Sequence, residues 1–149
     1  MKASKTVMMA GLFLAILLSG CNRNAADMVV KSSVTVNEED ETLTFSGVLT
    51  DEALDPATPF RARFFLQGKT IKNALGTDLI YTDEELKSRK EGEAPKEYKV
   101  EKTVEIKKSE EIDKIISDIQ NEDKEAVTIE IVNDNGRIDD KVLHDIKKE

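Results

Sequence analysis

The chain has 149 residues, with 22 Lys and Arg against 30 Asp and Glu, a net charge of −8, one histidine and one cysteine. So acidic a chain offers no basic face to nucleic-acid phosphates and is repelled by an anionic lipid surface. One histidine and one cysteine exclude an ordinary zinc site and any intramolecular disulfide.

The N-terminus differs from the rest. Met1–Thr6 carries Lys2 and Lys5, and Val7–Leu18 is almost wholly apolar. A basic start and about a dozen apolar residues have the form of a secretory signal, shorter than the roughly 20 residues a membrane span needs. The run ends in Leu18-Ser19-Gly20-Cys21. These residues resemble the lipobox of bacterial lipoproteins: an aliphatic residue, two small residues that lie extended in a protease cleft, then cysteine. The resemblance covers residues 1–21. It implies a diacylglyceryl (palmitate-type) modification of Cys21, cleavage by a type II signal peptidase after Gly20, and anchoring on the extracytoplasmic face of the cell membrane. Two acyl chains suffice for stable anchoring, and lipidation accounts for a lone cysteine in an exported chain. Phe13–Gly20 (FLAILLSG) is also similar to the octapeptide sex pheromones of enterococci, which are cut from lipoprotein signals. Apolar octapeptides end most such signals, so a spent signal is the main reading.

The expected organisation is a signal at 1–20, a lipidated tether at 21–27 and one domain at 28–149. Loss of Lys2 and Lys5 leaves 20 basic and 30 acidic residues, a charge of −10. Abundant Lys, scarce Arg and no Trp point to an AT-rich, Gram-positive source.

From residue 28 the pattern has period two, the mark of half-buried strands. Met28, Val30, Val34 and Val36 share one parity. Leu43, Phe45 and Leu49 follow after the acidic turn 37–40, which predicts a hairpin. Phe60, Ala62, Phe64 and Leu66 alternate with Arg61, Arg63 and Gln67. Between them, 51–59 holds Pro56 and Pro59 and reads as a loop. Residues 68–95 are the least regular; Thr82 and Glu85 have capping-box spacing and predict a short helix over 83–90. Tyr98, Val100, Val104 and Ile106 mark a long strand interrupted by Lys102. Ile112, Ile115, Ile116 and Ile119 form one helical stripe, with Ser109 as its cap. Val127, Ile129 and Ile131 form a strand, Asn133–Gly136 is a turn, and 138–146 reads as a returning strand, with helix spacing almost as good.

These elements predict a mainly β fold, an antiparallel β-sandwich with one amphipathic helix. It resembles the small immunoglobulin or fibronectin-III domains of bacterial lipoproteins, although the Cys…Trp…Cys hallmark is absent. The alternative is an α+β fold with the isoleucine helix on one sheet.

Catalytic patterns are sparse. His144 lies near the chain end with no G-x-S-x-G elbow to serve. Acidic groups at 38–41, 83–85, 134 and 139–140 suggest solvated turns. An EF-hand over 131–142 fails because Ile131 and Val142 fall where acids belong. The chain is therefore expected to be no enzyme, with no metal and no cofactor. Phe65, between Arg63 and Gln67, points opposite to Phe64. Arg61, Arg63 and Phe65 are the candidate interface, since aromatics and arginine dominate interfaces; Phe65 could equally lie under 69–95. The leading expectation is a non-catalytic lipoprotein whose domain binds an envelope protein, with no nucleic acid involved. A ligand or ion binder using 51–95 is the second.

Overall fold

The computed structural model describes residues 27–149. The signal, Leu18, Ser19, Gly20 and Cys21 lie outside the described residues. From Met28 onward the chain forms two packed sheets. The strands are β1 (Val29–Asn37), β2 (Thr42–Thr50), β3 (Pro59–Leu66), β4 (Leu79–Tyr81), β5 (Leu86–Lys87), β6 (Glu97–Glu105), β7 (Val127–Asn133), β8 (Gly136–Val142) and β9 (Ile146–Lys148). One sheet runs β6-β2-β1-β9; the other runs β4-β3-β7-β8, with β5 also on β3. Strands β1, β2 and β6 against β3, β7 and β8 have the crossing order of an immunoglobulin-type sandwich. One pairing departs from the antiparallel expectation: β9 lies parallel to β1, Val34 beside Ile146.

The alternation of the sequence is what closes this sandwich. Leu43, Phe45 and Leu49 of β2 and Phe60, Ala62, Phe64 and Leu66 of β3 are all buried. The Phe45 and Phe64 rings meet across the sheets at 5.3 Å, tilted by 44°. At Gly47 the sheets approach too tightly for a side chain: a Cβ there would lie 2.7 Å from Ile129 Cδ1. Helix α1 (Lys69–Leu75) follows β3. Helix α2 (Ile112–Gln120) sends Ile112, Ile115 and Ile119 into the core at one end of the sandwich.

Four sequence expectations need correction. The alternation of Met28 and Val30 fails at Val30, which is 51% exposed. A bulge between Val29 and Lys31 shifts the register, so that Val29 turns inward instead. No helix forms over 83–90. The stretch 79–87 instead supplies two short edge strands to β3, whose main-chain groups would otherwise stay unpaired. Thr82 caps nothing; its hydroxyl donates to Ala62 O at 2.9 Å. The helix of this region lies earlier, at α1, and ends on Gly76 in the left-handed conformation that suits glycine. Ser109 opens a 3-10 turn at Ser109–Glu111 and provides no side-chain cap. The 138–146 strand is split, β8 and β9 being separated by Leu143–Asp145, where Leu143 N bonds Val127 O at 2.9 Å.

Lys102, the interruption noticed in β6, points inward. Its Nζ reaches across the open side of the sandwich to Asp83, at 2.8 and 2.9 Å from the two carboxylate oxygens. An inward charge on an edge strand hinders pairing with stray strands. At the start of β1, the buried Asp139 carboxylate accepts the amides of Met28 (2.9 Å) and Val29 (3.3 Å). The chain therefore enters the sandwich beside β8, at the end that also carries loop 51–58 and the β7–β8 turn.

Candidate functional site

β3 is flanked on both edges, so its outward residues stand in the middle of a sheet. They are Pro59, Arg61, Arg63 and Phe65, alternating with the buried set. The register aligns them into rows with their neighbours. Arg61 stands beside Val132, and Val132 beside Arg137. Tyr81, Arg63, Glu130 and Asp140 form the next row, and Leu79, Phe65, Thr128 and Val142 the one beyond. Arg61, Arg63, Tyr81 and Arg137 border a groove of about 380 Å³, which Asn133 and Asp134 close at the turn.

The three arginines are held differently. Arg63 donates from Nε (3.0 Å) and Nη2 (2.8 Å) to Glu130 Oε2, and Glu130 is nearly buried beneath it. That hydrogen bond, against the opposing effect of burial, holds the Arg63 proton more firmly than usual. Arg61 is 3.6 Å from Glu85 and Arg137 is 3.9 Å from Asp140, with all four side chains well exposed. Such loose pairs are worth about 0–1 kcal/mol and exchange readily for another carboxylate. Tyr81 is 50% exposed. The structure thus brings the predicted Arg61, Arg63 and Phe65 onto one face. Phe65 is half-buried between Leu79, which belongs to the 69–95 segment, and Thr128. Sequence reading missed Tyr81, Glu130 and Arg137. Glu130 was detectable as a charge at the outward parity between Ile129 and Ile131.

A second polar centre escaped the sequence altogether. Asp51 is fully buried where β2 ends. Its Oδ1 accepts the Lys96 amide at 2.7 Å; its Oδ2 accepts the Arg89 amide at 2.7 Å and faces the Tyr98 hydroxyl at 2.9 Å. Arg89 Nη1 donates to the carbonyls of Asp51 (2.7 Å) and Leu54 (3.1 Å). Burial pushes the Asp51 carboxyl up. The Lys96 and Arg89 amides, the Tyr98 hydroxyl and the Arg89 charge together outweigh it and hold the group below its usual range. Both carboxylate oxygens are engaged and the side chain is shut off from solvent, so Asp51 clamps loops 51–58 and 88–96 together. The two loops at the ends of the 51–95 stretch are ordered in this way, and the residues between them by β3, α1, β4 and β5.

Burial first, then the bond to Asp51, lifts the Tyr98 phenol from 10.0 to about 12. A raised folded value means that this contribution to stability is fully present below pH 10 and is lost as pH rises to 12. Urea melts between pH 9 and 12 should show a loss of about 2–3 kcal/mol, and the Tyr98→Phe protein should lack that step. Equal losses in both proteins would assign the step to another group.

The distal end carries a groove of about 460 Å³ lined by Lys69, Lys114, Asp118 and Lys124. The Lys124 ammonium, 2.6 Å from Asp118, holds that carboxyl below its usual range. His144 Nδ1 lies 2.9 Å from Ile119 O; a carbonyl only accepts, so Nδ1 carries the proton and the ring ties α2 to the strand that follows β8. Among the described residues no cluster of three or more His, Cys, Asp or Glu is arranged to hold a metal, and no helix is long and apolar enough to cross a membrane.

No protein-family model and no curated protein matches the sequence. Among solved structures the chain is similar to the alkylpurine DNA glycosylase AlkC of Pseudomonas fluorescens, bound to DNA containing an abasic site analog. The TM-score is 0.40 at 8% identity, with 80% of this chain and 30% of that one covered. The chain therefore spans about a third of that protein's length. That protein is an enzyme, so this likeness stands against the expectation of a chain without enzymatic activity. At this TM-score and identity the likeness assigns no activity to the chain.

Proposed function

We propose that the chain is a lipid-anchored protein of the extracytoplasmic membrane face, and that its sandwich binds an acidic segment of another envelope protein on the outer face of β3, β7 and β8. The observation that carries the binding face is the groove between Arg61 and Arg137. Two exposed guanidiniums, each only loosely paired, stand on β3 and β8 with Val132 of β7 between them, beside a half-exposed tyrosine. Aromatic and arginine side chains around a half-apolar floor are the composition of interface centres. The anchor rests on the lipobox resemblance at Cys21. The six residues between Cys21 and Met28 reach no more than about 20 Å, so the groove, at the same end as Met28, stays within reach of membrane proteins. Confinement raises its effective concentration toward them.

Two arms test this. With export intact, Cys21→Ala is expected to move the protein from the membrane to the soluble fraction; a variant still membrane-bound would refute the anchor. A photocrosslinker at Tyr81 should capture an envelope protein that one at Thr44, on the opposite face, does not. Arg61→Glu with Arg137→Glu should cut that crosslink at least about tenfold. An unchanged yield would remove the binding face from consideration.

A further inference from the structure

The two sheets leave free edges, and they are unequal. β4 and β9 are three residues long, and β8 is bulged opposite Ile131 and Val132. Short or bulged edges resist pairing. β6 runs nine residues with an unbroken register against β2, from Glu97 opposite Thr50 to Glu105 opposite Thr42.

The direction of its main-chain groups follows from the two ends of that ladder. Ile106 N donates to Glu41 O at 2.8 Å, and Asp51 N donates to Lys96 O at 3.2 Å. Bonded and non-bonded pairs alternate along an antiparallel ladder. Even-numbered residues of β6 therefore face β2 with their N–H and C=O groups, and Glu97, Lys99, Glu101, Thr103 and Glu105 turn theirs to the open edge. All five are exposed, and among the described residues no main-chain group bonds them from that side.

The side chains then decide what can pair there. A second β6 running antiparallel must set odd residues against odd ones. With the two-fold axis at Val100, Lys99 of each copy faces Glu101 of the other, Glu97 faces Thr103, and Tyr98 faces Lys102. Within this ladder no like charges stand directly opposite one another. Moving the axis to Lys99 sets Lys99 against Lys99 and Glu97 against Glu101. Moving it to Glu101 sets Glu101 against Glu101 and Glu97 against Glu105. At Lys102 the inward lysines collide. At Tyr98 only residues 97–99 of the two strands overlap, and Pro95, which has no N–H to donate, already falls opposite Glu101. Like charges directly opposite are destabilising and opposite charges favourable. Lys102, the residue that obstructs stray strands, is already neutralised by Asp83.

We infer that two copies of this chain pair antiparallel through β6 about an axis at Val100, joining their four-stranded sheets into one continuous sheet. The charge pattern admits this partner in this register and disfavours the neighbouring ones. The inference is independent of the proposed binding face, which lies on the other sheet. Because the axis is normal to the sheet, the two chain entries lie at opposite ends. A doubly anchored dimer therefore rests with its strands along the membrane.

Sedimentation of the full chain in detergent is expected to show a dimer. Lys99→Glu and Glu101→Lys each place like charges opposite one another twice, and each should weaken dimerisation at least about tenfold. The double swap, Lys99→Glu with Glu101→Lys, restores both pairs and should restore the dimer. Both positions are exposed, so thermal melts should be unchanged. Glu101→Pro removes an edge-facing N–H without touching the β2 ladder and should also give monomer. A monomeric wild-type chain at about 100 µM, single variants that dimerise like wild type, or a double swap that stays monomeric would each overturn the inference.

Discussion

Asp51→Ala is expected to destabilise the protein by about 3–5 kcal/mol, the scale for removing one partner from a buried charged network. The substitution leaves the Lys96 and Arg89 amides facing a void, strips the Arg89 guanidinium of its counter-charge, and leaves the Tyr98 hydroxyl only Lys87 O, 2.8 Å away, as acceptor. Each abandoned donor costs its own desolvation. The sign of the acid response follows from the lowered folded value. The stabilisation is present above the ordinary carboxyl value of 3.8 and is lost as pH falls below it through the folded value. Urea unfolding at pH 7 and pH 2 measures both effects. Asp51→Asn keeps the shape and should lack the acid-dependent part. A cost for Asp51→Ala below about 1 kcal/mol would mean that loops 51–58 and 88–96 are held by something else.

The second large effect separates two adjacent phenylalanines. Phe64 is fully buried against Phe45, whereas Phe65 is half-buried on the opposite face. Phe64→Ala should cost about 3–5 kcal/mol, the range for an aromatic deleted from a packed core. Phe65→Ala should cost about 1–2 kcal/mol, in line with ordinary substitutions, and should instead weaken the crosslink formed from Tyr81. Chemical denaturation of both variants decides between them. Equal costs would show that β3 does not present alternate residues to core and solvent as described.

Period-two alternation is a physical demand of a half-buried sheet, which is why β2, β3, β6 and β7 could be read from the residues directly. The isoleucine stripe of α2 was legible for the same reason, with a different period. What failed was decided at a distance. Val30 obeys the alternation in sequence and breaks it in space, because a bulge lets Met28 and Val29 reach Asp139. Thr82 and Glu85 carry the local signal of a helix start, but the open edges of β3 claim that segment first. Arg61, Arg63 and Phe65 were found because β3 is regular. Tyr81 and Arg137 join them only through strand register, which no local pattern encodes. Asp51 looked like a loop acid. Its partners lie 38 to 47 positions along the chain.

The pairing of β1 with β9 bears on when this protein can fold. The first strand of the domain lies directly beside the last, Val34 against Ile146 and Val36 against Lys148, and Glu149 N bonds Val36 O at 2.9 Å. A chain made from its N-terminus has β1 and β2 in hand long before β9 arrives. The sheet then keeps one side of β1 open until the final residues appear. Contacts so far apart in sequence form late and slowly. Completion of this sheet thus waits until residues 146–148 are available, which keeps the segment from β1 onward loose during any passage it makes before then as an extended thread.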